Sequence, residues 1–207
     1  MTGLRARQKA DRRRRIIDTA TALFRSVGYD ATRLEMIAAE SGVSVGTVYN
    51  YYENKGDLLV AIVALEVNEV LAAGSRLVAA PPRGTAHAIN ALMSIYLDHS
   101  LIYLSKEMWR EAMAITIRQP HTAFSSAYVE LDRLLMEQVC DLLLALQSCG
   151  EVRRNIDLRS CGELLFNNLN MMFTCYVRED TMTLQALKDQ VARQNSVIAG
   201  QIAAAPG

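Results

Sequence analysis

Thr47 and Asn50 stand three residues apart in VGTVYNYY (45–52), which puts both on one face of a short helix. The Asn50 amide can pair in bidentate fashion with adenine, and Thr47 can bond a base edge through its hydroxyl. Val45 or the Thr47 methyl can meet a thymine methyl group. Gly46 has no side chain, so backbone can approach a groove floor there, while Tyr49 and Tyr51 hold hydroxyls at a reach suited to phosphate. Ser44 heads the same helix. Thr32 and Arg33 on one side, and Lys55 on the other, add the hydroxyl, cations and helix-start amides that grip phosphate oxygens. This is the chemistry of reading a duplex, with no bond made or broken.

Such residues work only if neighbouring elements hold the helix at a fixed angle. Ile16, Ile17, Ala20, Leu23, Phe24 and Val27 recur at spacings of three and four, predicting a first helix over 11–27 that ends at Gly28. Thr32 and Glu35 form a T-x-x-E capping box for a second helix, which stops at Gly42, where the chain needs positive φ to turn. Ser44 caps a third helix over 45–52. Asn54 caps a fourth that runs to about Gly74, with Asp57 at its positive end. Ile37, Val43, Val48 and Tyr52 are the expected apolar plug. Pro81, Pro82 and Gly84 break the pattern. Five further helices are expected at 85–103, 105–118, 123–147, 158–178 and 183–202. The fold class is therefore all-α with about nine helices: an N-terminal helix-turn-helix unit over 1–54, and a helical bundle over 55–207.

Charge supports a local anionic partner. The formal net charge is zero, yet residues 1–33 hold nine Lys and Arg against three Asp, a surplus of six cations that the remainder balances. Arg5, Arg7, Lys9 and Arg12 to Arg15 form a cationic arm just before the reading unit. The four cysteines avoid C-x-x-C spacing, and neither a secretory signal nor an apolar run of membrane-spanning length is evident. Together these imply reduced thiols in a cytoplasmic protein. His87, His99 and His121 are scattered, so no metal or cofactor is expected.

The pattern T-R-L-x-x-I-A-x-x-S-G-V-S-V-G-T-V-Y-x-Y-Y-x-N-K-x-D-L-L resembles the N-terminal domain of the TetR family of bacterial transcriptional regulators, over about residues 10–62. The resemblance implies a dimer whose all-α body binds a small effector and releases DNA. It assigns base or backbone contact to Val45, Gly46, Thr47, Tyr49, Asn50 and Tyr51, and phosphate contact to Thr32 and Lys55. Tyr52 stands where Phe is commoner, a change expected to be harmless if its hydroxyl reaches solvent.

The body is less specific. Met93, Tyr96, Trp109 and Met113, with Asn168 and Met172, are the candidate lining of a largely hydrophobic effector site, Trp109 stacking on the guest and Asn168 orienting its polar end. The acidic surplus beyond residue 33 favours neutral or cationic guests. The last two long helices are expected to form a twofold interface through Leu158, Cys161, Leu165, Leu169 and Met172, and through Leu184, Leu187, Val191 and Ile198. Two recognition helices would then sit about 34–36 Å apart over a palindromic operator.

Two other classes compete with an effector-released repressor. An all-α enzyme would use the N-terminal unit for docking, with Glu107, Glu111 and His99 as its only acid-base material. Lys106 and Arg110 beside the two glutamates explain them more simply as a salt-laced face. An architectural DNA binder would have a packed body with no guest.

Overall fold

A computed structural model describes residues 2–204, apart from the side chains of residues 2, 4 and 5. Among the described residues there are nine helices: α1 Thr2–Ser26, α2 Leu34–Ser41, α3 Val45–Tyr49, α4 Lys55–Ala79, α5 Thr85–His99, α6 Lys106–Arg118, α7 Ala123–Ser148, α8 Leu158–Arg178 and α9 Leu184–Ile202. They pack as two compact units, one from Met1–Leu65 with Ile102–Tyr128 and one from Glu66–Leu101 with Val129–Gly207.

In the first unit the α1 stripe is buried as expected through Ile16, Ala20, Leu23 and Phe24. α1 packs on α2, and α2 on α3, with Leu34, Ile37 and Ala38 of α2, Val48 of α3, and Tyr52 buried as well. Gly42 holds φ 66°, and its N–H and that of Val43 return to the carbonyls of Ala39 and Ala38, closing the turn between α2 and α3. Ser44 caps α3 by accepting from Thr47 N at 3.1 Å. Asn54 caps α4 through Asp57 N at 3.1 Å, and Asp57 reciprocates by accepting from Glu53 N at 2.8 Å.

Several boundaries differ from expectation. α1 begins at Thr2, so the cationic arm is helical. The T-x-x-E box does not form: the N-cap of α2 is Arg33, without a side-chain cap. Thr32 is wholly buried and its hydroxyl donates to Gly28 O at 2.7 Å. Tertiary packing takes the hydroxyl that the local motif would have used. α3 ends at Tyr49 because Tyr51 N and Tyr52 N both turn back to Val48 O. α5 stops at His99, where Ser100 bonds Leu97 O through both its amide and its hydroxyl.

In the second unit α9 packs on α5 and on α8. The unit closes where Ala204 N donates to Glu151 O at 2.8 Å and Arg153 N to Ile202 O at 3.0 Å. The Glu151 carbonyl also accepts from Thr85 Oγ1, and its carboxylate from Gly84 N, fixing the start of α5. α4 continues past Gly74 because a side chain there would collide with Gln138 of α7; glycine permits the close crossing. By length and mean hydropathy α4 is apolar enough to cross a membrane, contrary to the sequence reading. It serves here as a core helix, with Leu58, Leu59, Ile62 and Val63 buried in the first unit and Val67 and Val70 in the second. Glu66 is buried in its middle, 2.7 Å from His99 Nδ1, and Glu69 reaches His99 Nε2 at 3.3 Å.

The expected dimer stripe is corrected. Leu165, Leu169, Leu187 and Val191 are buried within the protomer's own second unit, because α8 and α9 first pack against their neighbours. The large apolar side chains left outward on these helices are Leu164, Met171 and Val197.

Candidate nucleic-acid interface

The α3 surface carries the groups that sequence reasoning assigned to it. Val48 is the one buried residue of the helix, so it acts as the pin, while Ser44, Val45, Gly46, Tyr49 and Asn50 are exposed. Thr47 is half-buried, and its hydroxyl lies 2.8 Å from Ser44 Oγ, an orientation that presents its methyl and hydroxyl together. Asn50 occupies the C-cap position. A five-residue helix has little intrinsic stability. Its rigidity comes from the Ser44 cap, the Gly42 turn and burial of Val48.

The phosphate assignments fare differently. The Thr32 side chain is inside the unit, with its hydroxyl engaged as described, so it cannot take a phosphate. Arg33 beside it is exposed. Lys55 is half-buried, and its ammonium donates to Tyr29 O at 2.7 Å and Asp30 O at 3.0 Å while lying 4.7 Å from the Tyr29 ring centre. It is a strut between the α1–α2 turn and α4, not a free clamp. The α1 cations Arg7, Lys9 and Arg12 to Arg15 are exposed, with Arg14 paired to Asp18 at 3.7 Å. The side chain of Arg5 lies outside the described residues.

Two tyrosines after α3 reach α1. Tyr52 is buried, and its hydroxyl accepts from Arg13 Nε at 3.3 Å; Tyr51 donates its hydroxyl to Lys9 O at 3.4 Å. Burial pushes the Tyr52 phenol above its ordinary range, and the Arg13 bond pulls it partly back.

The first unit also contains a cleft of about 600 Å³, lined by Tyr29, Glu53, Asp57, Glu111, Arg118 and Phe124 among others. Glu111 holds Arg118 at 3.2 Å. Burial foremost, then the charges of Glu111, Asp30 and Asp57, push the Tyr29 phenol up to about 12. No sequence signal marked this cleft, whose walls come from segments far apart in the chain.

The candidate effector residues are not gathered within either unit. Trp109 is buried and Met113 half-buried in the first. Met93, Tyr96, Asn168 and Met172 belong to the second. There the Tyr96 hydroxyl donates to Gln138 Oε1 at 2.8 Å, and Gln138 Nε2 donates to Leu71 O at 2.8 Å and Ser75 Oγ at 3.1 Å. This buried hub joins α4, α5 and α7, and burial drives the Tyr96 phenol far above its usual range. Asn168 Nδ2 donates to Asn195 Oδ1 at 3.2 Å, and the wholly buried Asn195 keeps an Nδ2 without a partner. Of the acid-base trio, His99 is held by Glu66 and Glu69 within the second unit and Glu111 by Arg118 within the first.

Residues 16–62 match the family model for bacterial regulatory proteins of the tetR family. The match spans the helix-turn-helix unit, over which the chain is similar to regulators of that family. The chain is 26% identical over 197 residues to the fatty acid metabolism regulator protein of Bacillus subtilis, covering 93% of this chain and 94% of that one. It is similar in fold to the transcriptional regulator FadR from Bacillus subtilis in complex with stearoyl-CoA, with a TM-score of 0.67 and 21% identity over 91% of this chain and 98% of that one. Thermus thermophilus FadR, a TetR-family transcriptional repressor in complex with lauroyl-CoA, matches with a TM-score of 0.67 at 22% identity over 94% and 99% of the two chains. The matched region contains α3, Val45–Tyr49.

Proposed function

We propose that this protein is a transcriptional repressor of the TetR type, which binds a palindromic operator as a homodimer and leaves it when a largely hydrophobic effector occupies the body. The observation that carries the reading is α3 itself: a short helix pinned by one buried valine, its remaining surface rich in hydroxyl, amide and methyl groups. Val45, Gly46, Thr47 and Asn50 read bases. Ser44, Tyr49, Arg33 and the α1 cations hold the backbone, while Tyr51 steadies α1 through Lys9 O. DNA reading belongs to residues 1–54 and effector binding and dimerisation to the remainder, in a protein of the cytoplasm.

The relatives that hold stearoyl-CoA and lauroyl-CoA make long-chain acyl thioesters the first effector class to test. Met93 and Met172 suit an acyl chain, and Asn168 with Asn195 suits its polar end. An effector that favours the released conformation by a few kcal/mol is enough to clear most operator.

Selection of randomised duplex on the full chain tests the reading. Recovery of one palindromic motif is the expected result, and acyl-CoA should then release the probe. Asn50→Ala should lose about 1–3 kcal/mol on that motif and little on unrelated duplex. Equal losses on both would remove Asn50 from base readout, and recovery of no motif would refute sequence-specific binding.

A further inference from the structure

We propose that the Tyr52 hydroxyl is a positioning residue for DNA binding, one that fixes Arg13 on α1 for a phosphate beside the groove that α3 enters. The inference rests on the DNA-reading role of the first unit and adds a residue whose part there is indirect.

The geometry is specific to these side chains. The Tyr52 ring is buried where a Phe would fill the same space, so the ring is core, and its hydroxyl alone reaches Arg13 Nε at 3.3 Å. Arg13 lies one turn before Ile16, which is wholly buried, so its backbone is anchored as well. Bonding through Nε leaves the two Nη groups of the exposed guanidinium facing outward as a fork, the edge that matches phosphate oxygens. Tyr51 repeats the attachment one turn earlier by donating to Lys9 O at 3.4 Å. Lys9 and Arg13 are four apart, hence on one face of α1, and that face is the one docked beside the end of α3. Two consecutive residues after the reading helix therefore set where the cationic stretch of α1 lies.

The test compares wild type, Tyr52→Phe, Arg13→Ala and the double variant as full chains, on the selected operator and on unrelated duplex across a salt series, with thermal midpoints alongside. Tyr52→Phe should weaken both duplexes about 3–10-fold, the worth of one ordinary hydrogen bond. Its log–log salt slope should become shallower by up to about 0.9, one phosphate contact. The midpoint should hold, since the ring remains. Arg13→Ala should reproduce the loss, and adding Tyr52→Phe to it should cost nothing more. Unchanged affinity in either single variant would overturn the proposal. So would additive losses, or a loss that comes with a lowered midpoint and an unaltered salt slope. A wild type that binds no duplex would refute the DNA reading itself, a failure visible before any variant is compared.

Discussion

Asp132 gives the sharpest test of the second unit. It lies on α7, half-buried, and receives one bond from Asn170 Nδ2 of α8 at 3.4 Å. Burial raises its carboxyl from 3.8 to about 6, and the Asn170 bond offsets only part of that. A gap of roughly two pKa units corresponds to about 3 kcal/mol between the ionised and neutral states. The sign follows from proton counting. Between pH 4 and 6 the native state holds a proton on Asp132 that the unfolded chain has released, so stability falls as pH rises through that window. Above pH 6 both states are ionised and the full penalty is present.

Asp132→Asn removes the charge and keeps an oxygen to accept from Asn170. The variant should match wild type near pH 4 and exceed it by up to about 3 kcal/mol at pH 7. Urea unfolding followed by circular dichroism from pH 4 to 8, at one fixed protomer concentration, measures this. Taking the difference between the two proteins at each pH cancels the other titrating groups. A difference that does not change with pH, or a variant less stable at pH 7, would refute burial as the dominant influence on Asp132.

Lys55→Met should lower stability by about 1–2 kcal/mol, because the carbonyls of Tyr29 and Asp30 lose their charged donor. Operator affinity should drop with an unchanged salt slope; a slope shallower by about one would return Lys55 to the phosphates. Gly74→Ala should destabilise the second unit by about 1–3 kcal/mol in thermal or urea unfolding, since its methyl would displace the Gln138 amide that joins α4 to Tyr96. A neutral result there would mean that α4 and α7 separate easily. Leu164→Glu with Met171→Glu should convert the dimer to monomer in light scattering, with helicity retained. Persistence of the dimer would move the interface elsewhere.

What was legible in the sequence is what is local. Ser44 and Asn54 cap their helices because the partner amides lie three residues away, and Gly42 turns because no neighbour is needed to make φ positive. Periodicity located the ends of α6 to α9 within a residue or so, since each has an unbroken apolar stripe. It did not say what covers each stripe: Leu165 and Val191 are apolar on schedule, and their partners proved to be inside the same protomer. The polar residues whose partners spacing did not show share one cause. Thr32 had a local acceptor in prospect and took Gly28 O instead. Lys55 bonds carbonyls 25 and 26 residues earlier, and Gln138 joins groups 42 to 67 residues away. Distant partners leave no mark on spacing.

The displacement of Thr32 and Lys55 from the phosphate set changes how affinity must arise. With both side chains engaged inside the first unit, the mobile positive charge available to a duplex is concentrated on α1 and at Arg33. Counterion release then scales with how many α1 cations meet phosphate at once, and each contributes about 0.9 to the salt slope. Six of those cations, Arg7, Lys9 and Arg12 to Arg15, are exposed on one helix, but their positions span more than two turns. They cannot all face the same backbone. Lys9 and Arg13 share the face held by Tyr51 and Tyr52. For the dimer, a slope of about 4 to 5, from two or three contacts per protomer, would fit one docked face, whereas a slope of about 11, from six per protomer, would require α1 to leave its tyrosines and wrap the duplex. The salt dependence of operator binding thus distinguishes a rigid α1 from an arm.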